Sequence, residues 1–499
     1  MMKSKPGFTP FVTAAAAILL FVPVYQAASA QQESPYGPYQ ELHDRIGKVV
    51  KETQVKGAAV GIHVAEAESG MEIYDHDGDV ALNPASGVKL LTACGALQVL
   101  GPEFRFKTSV YADGKSKSKQ EPDNLYLKGS GDPSLETGHV RDMVALMWEK
   151  GIRKVMGDIM VDDTYFDGKN LPYAFDHNPK SDEQSSFRAP VGGVSINANT
   201  LKIWVAPGAQ AGGKADVSVF PEGYARLVNE ATTSKSGKHD IKISAEAEDD
   251  TMKVRVWGSV SSGSGGTVFT KRAVDPALLA GYALKQLLEE RGIAVKGGIK
   301  KSKTPSSATL VARHTSEPLS SILPMVGKHS QNFYAEQLLK VIGAEKSGKP
   351  GTSENGAAAV VDLLKNAGID TTNITFRNGS GLYDANVIPA AAMAGLLAHA
   401  WRSPEYRPEF LTQLAVGGVD GTLSKRLESD DEKRHVRAKT GTLKGASSLS
   451  GYVLAPSGKK TICFSIIVNK AAGRISYFRA MQDKIVSKIA NYLYSDYKK

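Results

Sequence analysis

After a polar start, apolar and polar positions alternate over residues 58–64, where Val60, Ile62 and Val64 are separated by smaller or polar side chains. The turn "ESG" follows, and Met71 and Ile73 resume the alternation, so the stretch predicts a β-hairpin. The period then changes. Beyond Ser86, residues Leu90, Ala93, Cys94, Leu97 and Leu100 recur at helical spacing, predicting one buried helix that stops at Gly101–Pro102.

Between residue 103 and about residue 316 the pattern becomes mostly strand-like, as in "RFKTSVYADG", "DNLYLKGSGDPS", "GDIMVDDTYFDG", "LKIWVAPG" and "MKVRVWGSV". One helix is predicted over 275–292, with a further strand in "GIAVKGG". Runs rich in serine, glycine and lysine ("GKSKSKQ", "TSKSGKHD", "SGSGG") read as exposed loops. From about residue 317 helical periodicity returns in "EPLSSILPMVG", "NFYAEQLLKVIG", "ENGAAAVVDLLKNAG" and "PAAAMAGLLAHAWRS". Three strands then follow, "RHVRAKTG", "SLSGYVLAP" and "KTICFSIIVNK", and a terminal helix. A hairpin at one end and strands plus a helix at the other predict one α+β domain split by an insertion.

Composition alters this picture at two points. The basic "MMKSK", the apolar run 11–22 and "AASA" read as a targeting segment cleaved after Ala30. No cysteine at that junction suggests a lipid anchor, and no later run is long enough for a membrane helix, so an exported protein is expected. The remaining 469 residues exceed one core, and about two to four domains are expected. Loss of Lys3 and Lys5 lowers the formal charge from +9 to +7, a surface suited to anionic wall or membrane polymers or simply basic. No aromatic-interleaved basic stripe points to nucleic acid. The two cysteines, Cys94 and Cys463, read as buried thiols, with a disulfide as the less favoured reading. Scattered histidines and the lack of Cys-x-x-Cys or His-Glu-x-x-His give no metal or other cofactor site.

The candidate chemistry is that of an activated hydroxyl. No Gly-x-Ser-x-Gly elbow is present. Ser86 and Lys89, three positions apart, lie on one side of a helical turn, where an amine can reach the hydroxyl. Free N–H groups at the helix start favour negative charge on oxygen, and burial beside a second cation would lower the lysine pKa. Two rival pairs, Ser116–Lys119 and Ser457–Lys460, fall in a polar loop and a hairpin turn. Three Ser-x-Asn pairs occur. Ser195–Asn197 lies in the insertion, Ser353–Asn355 reads as a helix N-cap, and Ser330–Asn332 sits between two helices, as a cap or facing a cleft. The single Lys-Thr-Gly, Lys439–Thr440–Gly441, lies on a predicted strand. Its lysine, with Thr440 and Thr442, could meet a carboxylate, and Gly441 would leave room for substrate.

Taken in order, Ser86–Lys89, Ser330–Asn332 and Lys439–Thr440–Gly441 resemble the motifs of the penicillin-recognising serine enzymes. The surrounding "PASGVKLLTACGALQVLGPEFRF", "LKGSGDPSL", "GDIMVDDTYFDG", "NGSGL", "GVDGTL" and "KTGTLKGASSLSGYV" are similar to the type-4, class C low-molecular-mass penicillin-binding proteins. These are D-alanyl-D-alanine carboxypeptidases and endopeptidases. The resemblance covers nearly the whole chain after the targeting segment.

It implies a penicillin-binding domain of residues 31–102 and 317–499, with an antiparallel sheet flanked by helices. A first insertion of 103–165 and 268–316 and a nested one of 166–267 would interrupt it. It also implies that Ser86 is acylated with Lys89 as its base, that Ser330 relays the proton and that Asn332 holds the substrate amide. Lys439, Thr440 and Thr442 would bind the terminal carboxylate, and the backbone N–H groups of Ser86 and Thr442 would form the oxyanion hole. The implied partners are wall stem peptides ending in D-Ala-D-Ala, D-centre cross-links and β-lactams. The chain departs from the family pattern at Gln331 and in "NGSGLYDAN", with Asn378 and Tyr383; neither departure touches a core role, and Tyr383 would alter the cleft rim. A β-lactam hydrolase of the same superfamily would need a deacylating glutamate, and no Glu-x-x-x-Asn lies between Asn332 and Lys439. A non-catalytic wall-binding protein would have no need for the full set of Ser86, Lys89, Ser330 and Lys439. In the terminal segment Ile485, Ile489 and Leu493 form an apolar stripe that favours packing on the sheet, a membrane surface being the other face it could meet.

Overall fold

The structure is a computed structural model that describes residues 7, 9–10, 36–53, 55–113, 120–175, 184–235, 237 and 239–495. Most of the expected targeting segment and the Ser116–Lys119 pair therefore lie outside the described residues.

The two ends of the chain build a single six-stranded antiparallel sheet. In spatial order its strands are Ala415–Val416, Val436–Leu443, Ala446–Val453, Ile462–Asn469, Ala59–Glu66 and Glu72–His76. The N-terminal hairpin pairs with the last strand, Ile62 opposite Ile466 and Val64 opposite Phe464. Side chains of the central strands alternate between two apolar clusters, as the two-residue period demands. Leu449, Val453, Phe464, Ile466 and Val468 meet the apolar faces of helices Gln40–Glu52 and Ile475–Tyr494. On the other side Tyr452 and Cys463 join a cluster with residues of helices Lys89–Leu100, Asn332–Ser347, Ser353–Asn366 and Ala390–Arg402.

Ile485, Ile489 and Leu493 are fully buried in the first of these clusters. The membrane contact considered for that stripe is thereby corrected, because the sheet already covers it. Among the described residues no helix is long and apolar enough to cross a membrane. Cys94 and Cys463 are buried, unpaired thiols, each pushed up to about 12 by burial.

Helix Gln40–Glu52 occupies the opening stretch that the sequence pattern leaves without an element. Its Leu42, Ile46, Val49 and Val50 are buried at helical spacing. Helix Ser353–Asn366 is capped one residue earlier than expected. The Thr352 hydroxyl accepts the Asn355 N–H at 2.9 Å, which leaves Ser353 inside the first turn.

The inserted region contains a five-stranded sheet in the order Ile299–Lys301, Ile159–Asp162, Leu125–Lys128, Lys107–Ala112, Thr309–Thr315. Its strands come from both flanks of the insertion. Helices Thr137–Glu149 and Pro276–Glu290 accompany it, the second capped by Asp275 through the Leu278 N–H. Two further three-stranded sheets follow: Thr267–Arg272, Thr200–Ala206, Asp216–Phe220, and Ala225–Ser234, Thr251–Ser261, Asp240–Glu248. The expected return at residue 268 falls inside Thr267–Arg272, which pairs along its length with Thr200–Ala206. One continuous apolar cluster runs through all three sheets.

Candidate active site

The stretch "NPASGVK" does not begin as an α-helix. Ala85–Val88 form a 3₁₀ turn, and the α-helix starts at Lys89. Ala85 has φ 49°, unusual for a residue with a side chain. Asn83 holds it there, its Oδ1 accepting the Ala85 N–H at 2.8 Å while its amide donates to Tyr383 O and Asp384 Oδ1. Ser86 is thereby left partly exposed on an otherwise buried turn.

Lys89 is 1% exposed. Its Nζ lies 3.1 Å from Ser86 Oγ, 2.8 Å from Asn332 Oδ1 and 2.5 Å from the Ser380 carbonyl. Burial depresses its pKa well below the usual lysine range, and the charge of Lys439 adds to the effect. Glu336 opposes this. It is fully buried one turn beyond Asn332, accepts the N–H groups of Gly379 and Ser380, and is itself pushed up by burial. A neutral amine against a serine hydroxyl can take its proton as the oxygen attacks an electrophile.

Strand Val436–Leu443 brings the second lysine. Lys439 is fully buried, its Nζ donating to Ser330 Oγ at 2.9 Å and to the Thr440 carbonyl at 2.7 Å. Burial alone lowers its pKa to about 7. Ser330 has φ 54° and does not cap the following helix. Its hydroxyl thus turns toward Lys439, and Asn332 opens the helix with its amide nitrogen on the Phe187 carbonyl at 3.1 Å.

The expectation that Gly441 leaves room for substrate is corrected. A Cβ there would lie 2.2 Å from Pro84 O, 2.3 Å from Ser448 Oγ and 2.9 Å from Gly87 N. The missing side chain lets the strand close on the Ser86 turn. Thr440 Oγ1 donates to Thr422 Oγ1, and Thr442 is exposed with its Oγ1 accepting from Arg479.

Ser86, Lys89, Ser330, Asn332 and Lys439 thus meet in one site, and the other pairs among the described residues do not. Ser195 is buried, donating to Gly192 O and accepting from Asn199, and Ser457 and Lys460 lie exposed in the C-terminal hairpin turn. Sequence reasoning missed Asn83, Glu336 and Arg479. Glu336 carried a legible signal, an acid on the apolar face of a helix four residues after Asn332. The inserted region forms the rim: Phe175 packs edge-on to Tyr383, and Tyr173 O accepts from Asn378. Among the described residues His63, Glu72 and Asp75 bring potential metal-binding atoms within 4.8 Å of one another, but at the opposite edge of the sheet.

Comparison with known proteins shows the family of the chain and a similar fold. The D-Ala-D-Ala carboxypeptidase 3 (S13) family matches residues 42–491. A D-alanyl-D-alanine carboxypeptidase of Actinomadura sp. (strain R39) is 33% identical over 95% of this chain and 89% of its own length. The D-alanyl-D-alanine carboxypeptidase DacB of Haemophilus influenzae is 26% identical over 84% of this chain and 87% of its own. In fold, the chain is similar to penicillin-binding protein 4 of H. influenzae, with a TM-score of 0.73 at 22% identity, covering 90% of this chain and 99% of that one. The chain belongs to the D-Ala-D-Ala carboxypeptidase 3 (S13) family of peptidases.

Proposed function

We propose that the chain removes the terminal D-alanine from peptidoglycan stem peptides, and opens D-centre cross-links, through an acyl-enzyme on Ser86. The carrying observation is the buried Lys89 Nζ at 3.1 Å from Ser86 Oγ, its charged form disfavoured by burial. Neutral Lys89 takes the Ser86 proton as Oγ attacks the penultimate D-alanine carbonyl. The backbone N–H groups of Ser86 and Thr442 receive the oxyanion. Collapse breaks the C–N bond, and Ser330, bridged to Lys439, gives a proton to the leaving amine. Water then hydrolyses the ester. Asn332 orients the acyl-side amide, while Lys439, Thr440 and Thr442 bind the leaving residue's carboxylate. A β-lactam enters the same path and stays on Ser86, since no second carboxylate is assigned to its deacylation.

This reading includes export past the cytoplasmic membrane, where the substrate lies. It also includes a catalytic domain split by two nested insertions, the outer one resuming after Arg272. Labelling with a fluorescent penicillin and peptide mapping tests it: the label is expected on Ser86. A label on another serine, or a Ser86→Ala variant that still releases D-alanine from a pentapeptide, overturns it.

A further inference from the structure

Helix Ile475–Tyr494 does more than cover the sheet. Gln482 is fully buried and donates to Ser447 Oγ at 3.2 Å, on the residue paired with Thr442 across the sheet. One turn earlier on the same helix, Arg479 donates from its guanidinium to Thr442 Oγ1 at 2.8 Å. Thr442 follows Gly441, the residue closed against the Ser86 turn. A guanidinium has five N–H donors, and Arg479 forms no ion pair among the described residues. Neighbouring cations are already engaged: Lys439 with Ser330 and Thr440, and Lys328 with Asp420 at 2.6 Å.

We infer that Arg479, held beside Thr442, is a further specificity-determining cation that receives the free carboxylate of the leaving residue together with Lys439, Thr440 and Thr442. The inference rests on the acyl-transfer reading above and goes beyond it. The lysine of the Lys-Thr-Gly strand is buried, which disfavours its charged form, and it already donates to Ser330 and the Thr440 carbonyl. An arginine stays charged throughout and matches a carboxylate with two parallel donors.

The test uses two peptides identical except at the leaving residue, one a free acid and the other a carboxamide, with the full chain. Arg479→Gln keeps a donor for Thr442 Oγ1 but removes the charge. It is expected to lower kcat/KM on the acid on the order of 10–100-fold, mainly through KM, and to leave the amide unchanged. Arg479→Lys should recover part of the loss, and the wild type should keep its acid preference at pH 9. Arg479→Gln with the wild-type ratio of acid to amide at both pH 6 and pH 9 overturns the inference and leaves the Ser86 reading standing. A wild type that cleaves neither peptide overturns that reading, and this inference with it.

Discussion

The six-stranded sheet of the split domain and the outermost sheet of the insertion are built on opposite terms. All eight residues of Ala446–Val453 are buried, and Ile462–Asn469 is buried except at its end. In Asp240–Glu248, by contrast, no residue is fully buried, and Ala225–Ser234 buries only Ala231 and Thr233. The first sheet has helices on both faces, so neither face needs polar side chains. The second has one wet face, and Asp240–Glu248 accordingly alternates Ile241, Ile243, Ala245 and Ala247 with polar residues. The difference bears on the proposed site. Lys439, bound to Ser330, and Gly441, closed on the Ser86 turn, stand on the doubly covered sheet, while the insertion supplies rim contacts such as Phe187 O and Tyr173 O.

The sharpest break of that comparison is chemical. Lys89→Ala is expected to slow acylation by about 10²–10⁴-fold, read by the rate of penicillin adduct formation, without disturbing the insertion. Stability gives the next contrast. Leu449→Ala, inside the covered sheet, should cost about 2–5 kcal/mol, and Ile243→Ala on the outer sheet less than about 1 kcal/mol. Equal losses in thermal or urea unfolding would erase the distinction. The smallest effect is a shift in pH dependence. Glu336 supports the charged form of Lys89, so Glu336→Gln lowers the Lys89 pKa further and makes the base available at lower pH. The ascending limb of kcat/KM should therefore move down in pH. The descending limb, where free Lys439 loses its proton near pH 7, should stay in place.

Much of the fold was legible because burial writes itself into period. The hairpin at Val60–Val64, the helix after Ser86 and the three C-terminal strands all carry an apolar face that a neighbour covers. Strands Ala225–Ser234 and Asp240–Glu248 were missed for different reasons: the first carries no regular alternation, whereas the second, in which Ile241, Ile243, Ala245 and Ala247 do alternate with polar residues, directly follows the serine- and lysine-rich run read as a loop. Helix Thr137–Glu149 was missed although Val140, Met143, Val144 and Met147 keep helical spacing, because strand-like segments surround it.

The site divides in the same way. Ser86 and Lys89 are joined by three peptide units, so the backbone alone keeps their side chains within reach, whichever helical turn forms. That Lys439 lies on a strand and that Ser330 precedes a helix are likewise local facts. Tertiary structure decided the rest. It placed Asn332 and Ser380 on Lys89 from positions 243 and 291 residues away, and it removed both lysines from water. It buried Glu336 beneath the Gly379–Ser380 turn and set Arg479 on Thr442 across 37 residues. Reach between near neighbours follows from bond geometry. Protonation and convergence follow from desolvation and packing, which no short stretch of sequence contains.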